Sequence, residues 1–176
     1  MSRKFTPTPS KNPEANPIKV IAVDPGYDKL GIAILEKEKG GKERLIFSEC
    51  FSPKIKLAGE EKLLSVGREI ERLIKQFRPG YLALEKVFFN QNQKTVMKVA
   101  EVRGVIIYEA KSFGLDVYQY TPLEVKVAAT SYGRSSKSEV AGMVRKIIGI
   151  NDRKARIDDE YDAIAVGLTF FAYFRP

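Results

Sequence analysis

The stretch KVIAVDPG, residues 19–26, decides how the rest of the chain is arranged. Residues 20–23 are apolar without polar alternation, which is typical of a strand buried on both faces of an α/β sheet. The strand ends in Asp24, and Pro25 and Gly26 then form a turn. A carboxylate at the end of a buried strand loses hydration and needs a cation or several donors beside it. Asp-Pro-Gly is also an ordinary turn sequence, so Asp24 indicates a site only if other carboxylates converge on it.

The composition excludes several kinds of protein and site. At 176 residues, the chain is long enough for one well-buried core and too short for two ordinary domains. It has no histidine, which excludes imidazole catalysis and most zinc sites. Cys50 is the only cysteine, which excludes an internal disulfide and suits a reducing cytoplasm. No apolar run approaches the ~20 residues of a membrane helix, so we expect a cytoplasmic protein without a membrane partner.

The positive charge is concentrated in one part of the sequence. The formal net charge is +8, from 30 Lys and Arg against 22 Asp and Glu. Residues 126–156 hold eight basic and two acidic residues, and so carry most of that excess. A concentrated basic region indicates a polyanionic partner, most simply nucleic acid. On charge alone, a solvated lysine-rich surface explains the same pattern.

The apolar patterns predict one α/β domain over residues 18–176, preceded by a disordered tail over 1–17 that holds four of the nine prolines. The predicted element order is βββαβαβααα, with a turn at residues 36–41 between the second and third strands. Thr121 with Glu124, and Ser136 with Glu139, are capping boxes that each begin a helix. The strands are predicted near residues 19–24, 30–35, 44–51, 81–85 and 115–120, and the helices near 60–77, 94–113, from 122, from 137 to 148 and 158–174.

Four carboxylates are placed to meet at one edge of this sheet. Asp24 and Glu85 end the first and fourth strands, which a right-handed crossover makes parallel and often adjacent. Asp159 and Asp162 are three residues apart and share one face of the last helix. Such a cluster cannot ionise without cations, and two Mg²⁺ or Mn²⁺ ions are the usual solution where phosphodiesters are cut. Each carboxylate alone also has a structural interpretation, as a strand end or a helix cap.

Five ordered motifs over about residues 18–172 resemble those of the RuvC family of Holliday junction resolvases. The motifs are VDPG at 23–26, ALEKVF at 83–88, VRGV at 102–105, KSEV at 137–140 with MVR at 143–145, and DEYDAIA at 159–165. The resemblance implies a ribonuclease H-like nuclease domain, with a mixed five-stranded sheet flanked by helices. It also implies a homodimer that cuts two opposed strands of a four-way DNA junction with Mg²⁺ or Mn²⁺. A branch-migration complex of the RuvA and RuvB type is the implied further partner.

The resemblance also implies roles for individual residues. The catalytic and metal-binding carboxylates fall on Asp24, Glu85, Asp159 and Asp162, and the functionally important lysines fall on Lys126 and Lys137. Asp158 competes with Asp159, and the spacing of three residues to Asp162 favours Asp159. Phe88 matches an aromatic residue that stacks on bases near the junction centre. We expect further DNA contacts from Lys94, Arg134, Lys137 and Arg145.

Three alternatives stay open at the level of the sequence. A ribosomal-RNA-processing nuclease of the YqgF type shares the fold, although the ALEKVF motif and the pair Asp159 and Asp162 argue against it. A junction-binding scaffold without catalysis is disfavoured because all four carboxylates are present. The helix at 94–113 is apolar on more than one side, which fits either a partner subunit or complete burial within one subunit.

Overall fold

The computed structural model describes residues 17–53, 58–87, 93–150 and 157–175, with the side chains of residues 93 and 94 excepted. Nearly all of the predicted tail therefore lies outside the described residues. The elements follow the predicted order. The strands are β1 (Ile18–Asp24), β2 (Leu30–Lys37), β3 (Glu43–Phe51), β4 (Tyr81–Glu85) and β5 (Asp116–Tyr120). The helices are α1 (Gly59–Phe77), α2 (Gln93–Ser112), α3 (Pro122–Thr130), α4 (Lys137–Ile148) and α5 (Asp158–Tyr173).

The sheet is mixed and has the strand order β3-β2-β1-β4-β5. Strands β3, β2 and β1 form an antiparallel meander, whereas β1, β4 and β5 are parallel. The prediction that the first and fourth strands are parallel neighbours is thus confirmed. Val23 pairs with Leu84, so Asp24 and Glu85 leave the sheet side by side at the same edge.

Strand β1 lies between two apolar layers, one on each face of the sheet. Its residues 20–23 are fully buried, as their unbroken apolar run predicts. Val20 and Ala22 face the core formed with α3, α4 and α5. Ile21 and Val23 face the core formed with α1 and α2. The sheet is therefore covered on both faces, and its functional groups are confined to its edges.

The predicted helix starts are confirmed in their hydrogen bonds. The hydroxyls of Thr121 and Ser136 accept the backbone N–H of Glu124 and Glu139, whose carboxylates accept the cap N–H in return. Gly149 ends α4 in the left-handed conformation, with φ of 68°. Within the described residues, no helix combines the length and apolar character needed to cross a membrane.

The turn after β2 is shorter than predicted. We expected it to begin at Glu36, but β2 continues through Lys37 and pairs with the start of β3. The ammonium group of Lys37 lies 2.7 Å from the carboxylate of Glu43, and Arg44 lies 3.7 Å from Glu36. These cross-strand ion pairs stabilise polar residues that the prediction assigned to the turn.

Helix α5 lies directly on the sheet because small residues line the contact. Gly31 pairs with Asp24 across the β1–β2 ladder. A Cβ atom at Gly31 would overlap the backbone carbonyl of Asp159, and one at Gly167 would overlap the side chain of Leu35. This close approach brings the first turn of α5 to the sheet edge that carries Asp24.

Candidate active site

Asp24 and Glu85 form a carboxyl pair at the ends of two neighbouring parallel strands. A hydrogen bond joins their side chains. Burial, reinforced by the charge of Asp162, raises the pKa of Asp24 to about 6. Burial, together with the charge and hydrogen bond of Asp24, raises the pKa of Glu85 to about 8. Near neutral pH, burial and the neighbouring negative charge therefore favour the protonated form of Glu85 beside Asp24.

Asp162 and Lys137 border this pair. The ammonium group of Lys137 donates a hydrogen bond to Oδ2 of Asp162 at 2.9 Å, which raises the pKa of Lys137. The negative charge of Asp162 raises the pKa values of Asp24 and Glu85, and the positive charge of Lys137 lowers them. Lys137 therefore supplies a positive charge beside the acidic groups while its side chain remains largely exposed.

Asp159 is attached to the edge strand β3. Its Oδ2 atom lies 3.5 Å from the thiol of Cys50, and its charge contributes to the raised pKa of Asp24. Ser48, on the same face of β3, donates a hydrogen bond of 2.7 Å to the buried carboxylate of Glu160. Ser48 and Cys50 thus fix the first turn of α5, a role that the sequence analysis missed. The alternation of two small polar side chains along β3 was the available signal.

Asp158 lies one helical turn before Asp162. Both line a cavity of about 340 Å³ between α4 and α5, together with Lys137, Arg145 and Tyr161. Arg145 donates a hydrogen bond to the Tyr161 hydroxyl at 3.0 Å, and its guanidinium group lies 4.6 Å from the ring centre. Asp159, rather than Asp158, is among the groups that act on Asp24. This electrostatic effect supports Asp159 over its neighbour, and its role as the third carboxylate stays a prediction.

Among the described residues, neither Lys126 nor Arg134 forms an ion pair with the carboxylates. The half-buried Lys126 lies on α3, and its ammonium group forms no ion pair or hydrogen bond within the described ranges. Arg134 is exposed in the segment between α3 and α4. Phe88 and the side chain of Lys94 lie outside the described residues. The roles of these residues remain predictions.

Asp24 and Glu85 form a pair, with Asp162 and Lys137 beside it. The four predicted carboxylates do not converge as ligands of one ion. Across residues 17–53, 58–87, 93–150 and 157–175, no three acidic or thiol side chains form a ready-made metal site. Two carboxyls in contact nevertheless fit a hard cation, because its positive charge would favour the ionised form of both. Asp162, whose negative charge acts on both groups of the pair, is bonded to a cationic ammonium group. The residues present therefore fit a divalent cation held first by Asp24 and Glu85.

We predict that, in EDTA, the free energy of unfolding falls as the pH rises from about 5 to 8. In the unfolded chain these carboxyls take their ordinary pKa values of 3.8 and 4.5, so the folded state binds more protons in this window. Urea denaturation at several pH values measures the slope. Glu49, whose pKa burial raises to about 7, adds to the same slope. Comparison with Glu85→Gln isolates the pair, and equal slopes in wild type and variant would contradict the prediction.

Comparison with known proteins identifies the family of the chain. Residues 20–170 match the family model described as crossover junction endodeoxyribonuclease RuvC. The protein of that name from Syntrophomonas wolfei is 35% identical over 158 residues, covering 90% of this chain and 91% of the relative. Its counterpart from Moorella thermoacetica is 37% identical over 160 residues, covering 89% of this chain and 92% of the relative.

Solved structures show the same fold. Thermus thermophilus RuvC in complex with Holliday junction substrate superposes with a TM-score of 0.82 at 30% identity, covering 89% of this chain and 94% of that one. The yeast mitochondrial Holliday junction resolvase superposes with a TM-score of 0.63 at 13% identity, covering 85% of this chain and 77% of that one, and shares the fold alone. The predicted ribonuclease H-like fold is thereby confirmed. With its fold and about nine-tenths of its length matched, the chain belongs to the RuvC family of crossover junction endodeoxyribonucleases.

Proposed function

We propose that the protein is a Mg²⁺- or Mn²⁺-dependent endodeoxyribonuclease that resolves four-way Holliday junctions. It acts in recombination and repair by paired, symmetric hydrolysis of phosphodiester bonds. The observation that carries this proposal is the hydrogen-bonded pair of Asp24 and Glu85, with Asp162 and Lys137 beside it. Family membership supports the junction as the substrate.

The four carboxylates are the proposed ligands of the cations. Asp24 and Glu85 would hold one cation, and Asp159 and Asp162 would complete a site for two, with Asp162 giving up its hydrogen bond to Lys137. When bound, such ions lower the pKa of a water molecule and neutralise charge on the phosphate. Lys137 is then freed to contact the phosphate backbone, since its ammonium group is held by Asp162 alone among the described residues.

The remaining DNA contacts lie around this site. Arg145 lines the cavity that Asp162 also lines, which supports a contact with the strand that is cut. Arg134 is exposed in the segment between α3 and α4, three residues before Lys137, which supports a contact with a phosphate. We retain Lys126 as a second functional lysine, Phe88 as a base-stacking residue and Lys94 as a DNA contact, on the strength of the family motifs.

A homodimer suits two symmetric cuts, and α2 offers a surface for it. Met97, Glu101, Gly104 and Tyr108 follow one another along one side of the helix at intervals of three or four residues. Met97 and Tyr108 are 61% and 63% exposed, and the space around Gly104 is open. Complete burial of α2 within one subunit is therefore wrong. We also infer a cytoplasmic location and a branch-migration complex of the RuvA and RuvB type, both from family membership.

The test uses a synthetic four-way junction, a linear duplex of the same sequence and a structured RNA, each incubated with Mg²⁺ or with EDTA. We expect paired nicks at symmetric positions in the junction alone, and none in EDTA, because the carboxyl pair needs the cation to engage a phosphate. Denaturing gels with each strand labelled separately measure the symmetry.

The same experiment separates the alternatives. Cleavage confined to the RNA would contradict the proposal and favour a ribosomal-RNA-processing activity of the YqgF type. Tight junction binding without cleavage, in Mg²⁺ and in Mn²⁺, would favour a junction-binding scaffold. Cleavage that persists in EDTA would contradict the role given to Asp24 and Glu85.

A further inference from the structure

Arg103 connects α2 to the strand end that carries Glu85. Its guanidinium group donates one hydrogen bond to the backbone carbonyl of Glu85. A second N–H group donates to Oε1 of Gln119 on β5, at 2.6 Å. The backbone N–H of Lys86 also donates to the carbonyl of Tyr120 at 2.7 Å. The end of β4 is thus bonded to β5 on one side and to Arg103 on the other.

The surroundings of Arg103 are unusual for a structural arginine. The side chain is half-buried, and this burial lowers its pKa, while the charge of Glu85 acts in the opposite direction. Both of its hydrogen bonds go to neutral oxygens, and within the described ranges it forms no ion pair. Burying a guanidinium group without a carboxylate partner is costly. This unfavourable burial is explained when the positive charge of Arg103 stabilises the neighbouring acidic pair, Asp24 and Glu85.

The neighbours of Arg103 restrict how it can move. Val102 and Ile106 are fully buried against the sheet, so α2 cannot turn about its axis without losing core contacts. Arg103 therefore presents its guanidinium group from a fixed helix to the last residue of β4. The carbonyl bonded by Arg103 belongs to Glu85, the last residue of the strand.

We propose that Arg103 is a positioning residue, which fixes the last residue of β4 and thereby sets the affinity of the Asp24–Glu85 pair for a divalent cation. This inference rests on the proposed function, because it takes that pair as the cation site. Arg103 acts through the backbone of Glu85 and touches neither the cation nor the DNA. Partners of metal ligands in this outer layer are typically worth about 10–100-fold in metal affinity.

The test measures Mn²⁺ binding to the full chain by calorimetry, with Arg103→Gln, Arg103→Lys and the control Arg68→Gln. Arg68 is an exposed arginine on α1. We expect Arg103→Gln to weaken Mn²⁺ binding about 10–100-fold. Arg103→Lys, which keeps the charge and one hydrogen bond, should recover part of that loss, and the control should match wild type. The junction affinity in EDTA should stay unchanged in all of them, because the guanidinium group of Arg103 is engaged by Glu85 and Gln119.

The Mn²⁺ affinities of the variants determine whether Arg103 positions the carboxyl pair. Wild-type Mn²⁺ affinity in Arg103→Gln overturns the inference, and so does a loss in Arg103→Gln that the lysine variant does not reduce at all. If Arg103→Gln fails to fold, Gln119→Leu replaces it, since that variant removes only the second partner of Arg103. There, a wild-type Mn²⁺ affinity overturns the inference and a several-fold weakening supports it. A wild-type protein that neither binds Mn²⁺ nor cuts junctions refutes the proposed function instead.

Discussion

Asp24→Asn is expected to lower the rate of junction cleavage by at least about 10³-fold and to leave junction binding within about twofold. An amide is a weak ligand for a hard cation, and the cation supplies several kcal/mol of charge stabilisation in phosphodiester hydrolysis. Each 1.4 kcal/mol of that stabilisation is worth about tenfold in rate. Single-turnover cleavage and gel-shift binding in EDTA measure the two effects separately.

The folded state of this variant should be at least as stable as wild type in EDTA at pH 8. Its neutral amide removes a carboxyl whose charge is disfavoured by burial and by Asp162. Asp116→Asn is the matched control, because Asp116 begins β5 at the opposite edge of the sheet. This variant should cut junctions at the wild-type rate. Loss of junction binding in Asp24→Asn would instead mean that Asp24 is needed for the fold.

Gly31→Ala is expected to reduce the free energy of unfolding by about 2–3 kcal/mol, as overpacking of a rigid contact does. The added methyl group would overlap the backbone carbonyl of Asp159, and no side-chain rotation can remove that overlap. Helix α5 must shift away from β2, which moves Asp159 and Asp162 relative to the carboxyl pair. A displacement near 1 Å can cost about 10²-fold in rate, so we expect cleavage to fall by roughly that factor.

The control for this change is Gly142→Ala on α4, where nothing lies within 4 Å of the added Cβ atom. It should be neutral or stabilising by up to about 1 kcal/mol, because alanine is the better helix former. Thermal unfolding and cleavage assays on both variants give the comparison. A Gly31→Ala protein with wild-type stability would show that α5 is not held against the sheet as described.

The order of the elements could be predicted because the local signals are strong. The apolar run in β1, the two capping boxes and the glycine after α4 each depend on residues a few positions apart. The right-handed crossover into β4 predicted that β4 is a parallel neighbour of β1. The prediction was wrong at Glu36 and Lys37, where ion pairs with β3 prolong a strand that charged residues disfavour.

The sequence identified the candidate residues of the site better than it predicted the contacts between them. Strand ends placed Asp24 and Glu85 together, and helical spacing put Asp159 and Asp162 on one face. The sequence could not show that Lys137 would bond to Asp162, since the two residues belong to different helices. Nor could it identify Ser48, Cys50 or Arg103, whose partners are 16 or more residues away.

The close seat of α5 on β1 and β2 has a consequence for when the protein becomes able to cut DNA. Helix α5 follows every other described element along the chain, yet it completes the core. It also supplies two of the four carboxylates proposed as cation ligands, Asp159 and Asp162. During synthesis, domains generally fold as units as they leave the ribosome. A nascent chain that has made only the sheet and α1–α4 has two of the four carboxylates and an uncovered apolar face. On the proposed site, a chain therefore gains its full set of cation ligands only once α5 has been made and has packed on the sheet.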